Sequence, residues 1–226
     1  MTKATAINSV RELRKQQLTT STREFKARGS LLKRCSECLL GVEKCVCGLI
    51  EAVDTHAAVL MLMYHAEYYK PSNTGQLICD AVKDNFAFRW QRTELEPELK
   101  ALLEDPKWYP IIIFPHDSLE PERKINAIPD TNALEGKRPL LIFLDGTWRQ
   151  AKKMFIKSPY LDNFPVLQVS GIDKGEYQLR ESHHNHHLST VEVAQAILAQ
   201  SGESEAADRL GYLFKTFRDS YKEYKR

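Results

Sequence analysis

The sequence predicts an α/β fold in which a mostly parallel sheet is covered by helices on both faces. Strand-sized apolar runs alternate along the chain with segments of helical periodicity. Several of these runs are continuously apolar, which is typical of strands that are buried on both faces. The chain has 226 residues, of which 42% are hydrophobic and 27% charged, and this suffices for one large domain with a small addition.

Four strands and four helices are predicted in chain order. The strands are the apolar runs 57–63, 111–114, 140–144 and 166–169. The helices are the segments 73–82, 147–157, 191–200 and 209–224, in which apolar residues recur at three- and four-residue spacing. Because the carboxyl ends of parallel strands meet at one edge of a sheet, we expect a ligand to bind at that edge.

The N-terminal segment is strongly basic, although the net charge of the chain is only +2. Residues 1–34 carry nine Lys or Arg side chains against two Glu, and the remainder is acidic. Such an arm binds polyanions, or it is a solvated terminus. No apolar run reaches the length of a membrane-spanning helix, and no hydrophobic signal segment follows Met1, so we expect a cytoplasmic protein without membrane contact.

A cluster of cysteines follows the basic arm. Cys35 and Cys38 form a C-x-x-C pair, and Cys45 and Cys47 form a C-x-C pair after a short gap. Four thiolates at this spacing suit one tetrahedral Zn²⁺, with Gly41 allowing the chain to reverse between the pairs. With four protein ligands the ion would be structural. Redox pairs or unligated core thiols are the alternative interpretation.

The most informative segment follows the third predicted strand, where Asp145-Gly-Thr-Trp leads into a helix. Asp145 ends the strand, and Thr147 is placed to cap the helix. Helical spacing predicts that Trp148 packs inward together with Ala151 and Phe155. The exposed cations of this helix, which we expect to bind an anionic polymer or to be a solvated face, are Arg149, Lys152, Lys153 and Lys157.

This segment resembles the signature of the DTW-domain family, and other segments agree with it in order. They are the four cysteines preceded by Arg34, the Asn73-Thr-Gly75 segment, the Phe114-Pro115 corner, and Tyr177-Gln-Leu-Arg180 followed by Leu188-Ser-Thr-Val-Glu192. The resemblance covers roughly residues 34–200. It implies a fold related to the SPOUT methyltransferases, with a knot toward the C-terminus. It also implies three parts: a basic arm or helix (1–33), a zinc knuckle (34–50) and a catalytic domain (51–226).

The resemblance implies a tRNA-uridine aminocarboxypropyltransferase. Such an enzyme transfers the 3-amino-3-carboxypropyl group of S-adenosylmethionine to N3 of a tRNA uridine and releases 5′-methylthioadenosine. Asp145 is then a general base, or it orients the N3–H, binds the cofactor ammonium or caps the turn. The alternatives are an S-adenosylmethionine-dependent SPOUT RNA methyltransferase and a non-catalytic zinc-dependent RNA-binding protein.

The resemblance also implies site residues. Thr147 binds the cofactor or caps its helix, Trp148 is a stacking surface or core, and 73–75 bind the cofactor or form a capped turn. The expected cofactor contacts are Asn73, Thr74, Gly75, Phe114, Pro115, His116, Leu144, Asp145, Trp148, Leu188, Ser189 and Thr190. Arg180 joins the helix cations as an RNA contact, or it binds the cofactor carboxylate. The group His183, His184, His186 and His187 is a surface loop, an RNA contact or a metal site. We expect a monomer.

Overall fold

The computed structural model describes residues 7–21, 32–115, 121–130, 132–167 and 189–222. The strands in these ranges are β1 (Ala58–Met63), β2 (Asn85–Arg89), β3 (Trp108–Ile113), β4 (Lys124–Ile125), β5 (Arg138–Asp145) and β6 (Val166–Leu167). The α-helices are α1 (Ser9–Thr20), α2 (Gly75–Ala81), α3 (Pro97–Glu104), α4 (Trp148–Ile156), α5 (Thr190–Gln200) and α6 (Ser204–Lys222). The alternation of strands and helices confirms the predicted α/β class.

The strands form one sheet in the order β2-β1-β5-β3-β6-β4, and every pair is parallel. β5 is central, between β1 and β3. Met63, the last residue of β1, is in register with Asp145, the last residue of β5. The two strands therefore end together, and the loops that follow them share one edge of the sheet.

Each face of the sheet is covered by its own set of helices. Alternate residues of β1 and β5 point to opposite faces. Val59, Met61, Leu141 and Phe143 join a core with α2, α5 and α6, whereas Leu60, Leu62, Ile142 and Leu144 join a core with α3 and α4. The central strands are buried on both sides, as their continuous apolar sequences predict.

The four predicted strands correspond to β1, β3, β5 and β6, and the four predicted helices to α2, α4, α5 and α6. The predicted fourth strand extends into 168–188, which lie outside the described residues, and the implied knot stays a prediction. The division into arm, knuckle and catalytic domain also stays a prediction. Among the described residues, no helix is both long and apolar enough to span a membrane.

Part of the basic N-terminal segment belongs to the folded core. In α1, Val10 and Leu13 are buried in the same core as the α2 face of the sheet. Arg11 and Arg14 are also buried, at 7% and 4% exposure. Arg11 pairs with the Asp80 carboxylate at 2.7 Å, so these two cations do not face a polyanion. The prediction of a basic arm available to polyanions is therefore wrong for Arg11 and Arg14.

Candidate functional site

The four cysteines form a compact cluster of sulfur atoms. Their Sγ atoms all lie within 4.8 Å of one another. The Cys35–Cys47 and Cys38–Cys45 pairs are each separated by 3.8 Å. Sulfurs bound at 2.3 Å to one tetrahedral zinc are about 3.8 Å apart, so the cluster has the dimensions of such a site.

The backbone around the cluster reverses at Leu39 rather than at Gly41. Leu39 adopts a left-handed φ of 62°, whereas Gly41 has φ −56° and ψ 144°. The turn is closed by a hydrogen bond from the Leu39 N–H to the Cys35 carbonyl, and the Arg34 guanidinium donates to the Leu39 carbonyl. The role predicted for Gly41 is therefore wrong, because the residues after Cys38 already complete the turn.

The thiols of the cluster influence one another. A hydrogen bond from Cys47 lowers the pKa of the Cys38 thiol to about 5, and the same interaction raises the pKa of Cys47. This interaction favours the thiolate form of Cys38, which is the form that binds metal. Cys79, in contrast, is buried in α2, where burial raises its pKa to about 12.

A second site is built around Asp145 at the carboxyl end of β5. Asp145 is only 4% exposed. Its Oδ2 accepts a hydrogen bond from the Asn73 amide at 2.6 Å, and its Oδ1 accepts one from the Thr190 hydroxyl at 2.8 Å. The carboxylate thus lies between the start of α2 and the start of α5, and three segments distant in sequence meet there.

Gly75 permits this close approach. A Cβ at this position would lie 2.8 Å from Asp145 Oδ2 and 2.9 Å from Met61 Cε. A side chain at residue 75 would therefore displace the Asp145 carboxylate and the Met61 methyl group, and glycine lets α2 lie against the carboxylate in its present position. The sequence singles out Gly75 as part of the Asn73-Thr-Gly75 segment, and the structure gives the physical reason for it.

Gln76 connects the two sites. It is 1% exposed, its backbone N–H donates to Asn73 Oδ1, and its side-chain amide donates to the Cys38 carbonyl at 3.3 Å. Because Asn73 Oδ1 is occupied by this bond, the Asn73 amide nitrogen faces Asp145. A short run of hydrogen bonds therefore links the backbone of the cysteine cluster to the Asp145 carboxylate.

Asp145 and α4 lie on opposite faces of the sheet. Leu144 is buried against Ala151 and Met154 of α4, and the next side chain along a strand points to the other face. The Asp145 carboxylate therefore points toward α2 and α5. The carboxylate and the cations of α4 therefore approach each other only at the end of β5. The side chain of Leu144, which we expected to contact the cofactor, lies in the core.

The start of α4 is capped as the sequence predicts. Thr147 Oγ1 accepts from the Gln150 backbone N–H, and the Gln150 side chain accepts from the Thr147 N–H. This reciprocal capping box fixes the turn after Asp145. Ser189 and Glu192 form a second capping box at the start of α5, which positions Thr190 against the carboxylate.

Trp148 lies at the surface. It is 43% exposed, and its ring stacks on Phe114 with 5.4 Å between centroids. Phe114 in turn stacks on Phe155 at 4.5 Å. The prediction that Trp148 packs inward is wrong, because this residue begins α4 beyond the last residue of β5. Of its predicted companions, Ala151 is buried and Phe155 is half-buried.

A second aromatic pair lies on the same face as α4. The rings of Tyr64 and Trp90 stack at 5.5 Å with an interplanar angle of 17°. The Lys153 ammonium lies 5.7 Å and 5.8 Å from the two ring centroids, and it is 3.4 Å from the Tyr64 hydroxyl. Sequence reasoning missed this pair because Trp90 follows β2, a strand without a continuous apolar run.

The remaining predicted residues divide into three groups. Thr74 is buried beside Asn73, and Pro115 is exposed after β3. Arg149, Lys152 and Lys153 are exposed, and their role as RNA contacts stays a prediction. Residues His116, Arg180, Leu188 and the group His183, His184, His186 and His187 lie outside the described residues.

The fold and these sites define an α/β protein that gathers polar groups at the carboxyl edge of a parallel sheet and holds four cysteines close enough together to bind a metal ion. Residues 32–222 match the model of the DTW domain, and the chain belongs to the DTW-domain family. This membership makes it a tRNA-modifying transferase. No solved structure matches the chain.

Proposed function

We propose that this protein transfers the 3-amino-3-carboxypropyl group of S-adenosylmethionine to N3 of a uridine in tRNA. The buried carboxylate of Asp145, fixed from both sides at the carboxyl end of the central strand, is the observation that supports this most directly. It lies within the matched domain, at the edge where parallel sheets bind ligands.

Asp145 is suited to removing or orienting the N3 proton. Oδ2 accepts a hydrogen bond from Asn73 and Oδ1 accepts one from Thr190, and an ionised carboxylate is an acceptor for an N–H donor. Its partners Asn73 and Thr190 hold the carboxylate in one orientation, which favours proton transfer over a fixed distance. Uridine N3 is a poor nucleophile until that proton is removed or shared.

The residues around Asp145 fit the amino-acid end of S-adenosylmethionine through its ammonium. The α2 N-terminus already faces the carboxylate of Asp145 at Gly75. A second carboxylate there would be repelled, whereas an ammonium would be attracted. When bound, S-adenosylmethionine supplies an electrophilic carbon whose bond to the sulfonium sulfur breaks, leaving the electron pair on sulfur as N3 bonds to that carbon.

The cations of α4 serve the RNA in this proposal. Arg149, Lys152 and Lys153 are exposed on one helix, and no acidic residue occurs between Asp145 and Asp162. Phosphates bind such a surface without base specificity. The four cysteines hold a structural Zn²⁺, because the 3.8 Å separations match a tetrahedral sulfur site.

An exchange of donor and acceptor tests the role of Asp145. In Asp145→Asn the charge is removed, but the new amide oxygen can still accept from the Asn73 amide and the new nitrogen can donate to the Thr190 hydroxyl. The double variant Asn73→Asp with Asp145→Asn keeps a donor–acceptor pair but moves the carboxylate to residue 73. We expect transfer to fall about 10²- to 10⁴-fold in both variants, while both retain the thermal stability of the wild type.

The measurement is nucleoside mass spectrometry of tRNA together with identification of the by-product. Release of 5′-methylthioadenosine with an aminocarboxypropyl-uridine supports the proposal. Release of S-adenosylhomocysteine would identify a methyltransferase instead, and tRNA binding with no by-product would identify a non-catalytic protein. Near-normal transfer by folded Asp145→Asn would overturn the general-base role.

A further inference from the structure

We infer that Tyr64 and Trp90 form a stacking platform for the base of a nucleotide that neighbours the target uridine in single-stranded RNA. This inference rests on the proposed RNA substrate and names how the RNA is held. The platform consists of the stacked Tyr64 and Trp90 rings and the Lys153 ammonium. Its three parts come from the ends of β1, β2 and α4.

The platform is fixed rigidly to the Asp145 site. The Tyr64 backbone N–H donates to the Asp145 carbonyl at 2.9 Å, and the Trp90 backbone N–H donates to the Met63 carbonyl at 2.7 Å. The Trp90 indole N–H donates to the hydroxyl of Ser158, which is itself buried. Rings held in this way lose little conformational entropy when a ligand binds them.

The chemistry of the platform matches a nucleotide rather than an apolar peptide. Tyr64 and Trp90 are half-buried, and Lys153 is exposed. The Lys153 ammonium is almost equidistant from both ring centroids, so the cation interacts with both rings. Proteins that bind single strands combine aromatic stacking surfaces with cations that follow the phosphates. The exposed cations Arg149 and Lys152 on α4 extend the positive surface from the platform.

The location gives the platform a specific role. The Tyr64–Trp90 pair lies on the α4 face, whereas the Asp145 carboxylate points to the other face. An RNA strand bound along α4 therefore presents its target base across the end of β5. A neighbouring base held on the platform fixes the strand while the target base enters the site, which favours uridines in loops.

The test measures binding of a fluorescent, unstructured oligouridine to the full-length protein without S-adenosylmethionine, so it does not depend on the reaction. We expect Tyr64→Leu and Trp90→Leu each to weaken binding about 5- to 100-fold. We expect Trp90→Phe to retain most of the affinity. Lys153→Gln is expected to reduce the salt dependence of log K by about one unit of slope.

Phe86→Leu is the matched control, because Phe86 is a half-buried aromatic residue of β2 that contacts Trp108 instead of the platform. Wild-type affinity in Tyr64→Leu and in a folded Trp90→Leu would overturn the inference. An equal loss in Phe86→Leu would also overturn it, since the effect would then be general. If binding changes as expected but no by-product forms, the platform stands and the proposed reaction fails.

Discussion

Helices α1 and α4 are both basic, yet they use their cations in opposite ways. In α1, Arg11 and Arg14 are buried at 7% and 4% exposure. In α4, Arg149, Lys152 and Lys153 are exposed. A cluster of Lys and Arg in a sequence therefore does not by itself identify a surface for a polyanion, because arginine is also used to pair buried acceptors.

The partners of α1 explain the difference. Arg11 donates to Asp80 in α2, and Arg14 donates to the backbone carbonyls of Ser36 and Glu37 beside the cysteine cluster. α1 therefore ties together α2 and the cluster. In α4 the buried residues are Ala151 and Met154, so its packing is apolar and its charges remain at the surface.

The largest expected effect is on the free energy of unfolding, and it differs between variants of α1 and α4. Arg11→Met leaves the Asp80 carboxylate buried without its ion partner and should lower the free energy of unfolding by about 3–5 kcal/mol. Lys152→Met removes an exposed charge and should change it by less than about 0.5 kcal/mol. Urea unfolding followed by circular dichroism measures both. A stability loss of similar size in the two variants would remove the distinction between the helices.

A smaller difference is expected between the two N-caps. Asn8 caps α1, and its amide also donates to the Gln76 carbonyl and to Asp80, whereas Thr147 caps α4 at an exposed site. We expect Asn8→Ala to cost about 2–3 kcal/mol and Thr147→Ala about 1 kcal/mol. Chemical denaturation of both variants tests this, with Asn8→Ser and Thr147→Ser as controls that retain a capping oxygen.

The smallest expected effect is a pH dependence confined to the α1–α2 contact. Desolvation raises the pKa of Asp80 to about 6, against the lowering influence of Arg11. The folded state therefore binds this proton more tightly than the unfolded state does. The contribution of Asp80 to stability rises as the pH falls from 7 to 5, by about 1.3 kcal/mol.

Asp80→Asn should lack this contribution, so the wild type should gain stability relative to the variant between pH 7 and pH 5. Because all other titrating groups are shared, subtracting the two unfolding curves isolates Asp80. Arg149→Met should follow the wild-type pH profile, since α4 has no buried ion pair. If the difference in stability between the wild type and Asp80→Asn is the same at pH 7 and pH 5, the raised pKa of Asp80 is contradicted.

The parts of the fold that could be predicted are those with a strong local pattern. β1, β3 and β5 are continuously apolar, and the capping pattern marks the start of α4. β2 (Asn85–Arg89) is half-buried along its whole length, so it lacks the apolar run that would reveal it. β4 has only two residues, and its pairing with β6 depends on the tertiary fold.

The features of the candidate site likewise divide into those that local sequence predicts and those that it does not. The strand-end position of Asp145 and the cap at Thr147 follow from neighbouring residues, and so does the cysteine spacing. The Thr190 contact with Asp145, the link through Gln76 and the Tyr64–Trp90 pair join segments that are distant in the chain. Residue spacing carries no information about such contacts, because they depend on how the helices pack on the sheet.

The parallel order of the sheet has a consequence for how this chain reaches its native state. Ala58 of β1 pairs with Leu140 of β5, and Arg11 pairs with Asp80, so the central contacts join distant parts of the chain. Loop closure must occur before such contacts form, which makes parallel sheets intrinsically slow to fold. During synthesis, β1 has no central partner until β5 has left the ribosome, and the Asp145 site is assembled only when α5 follows.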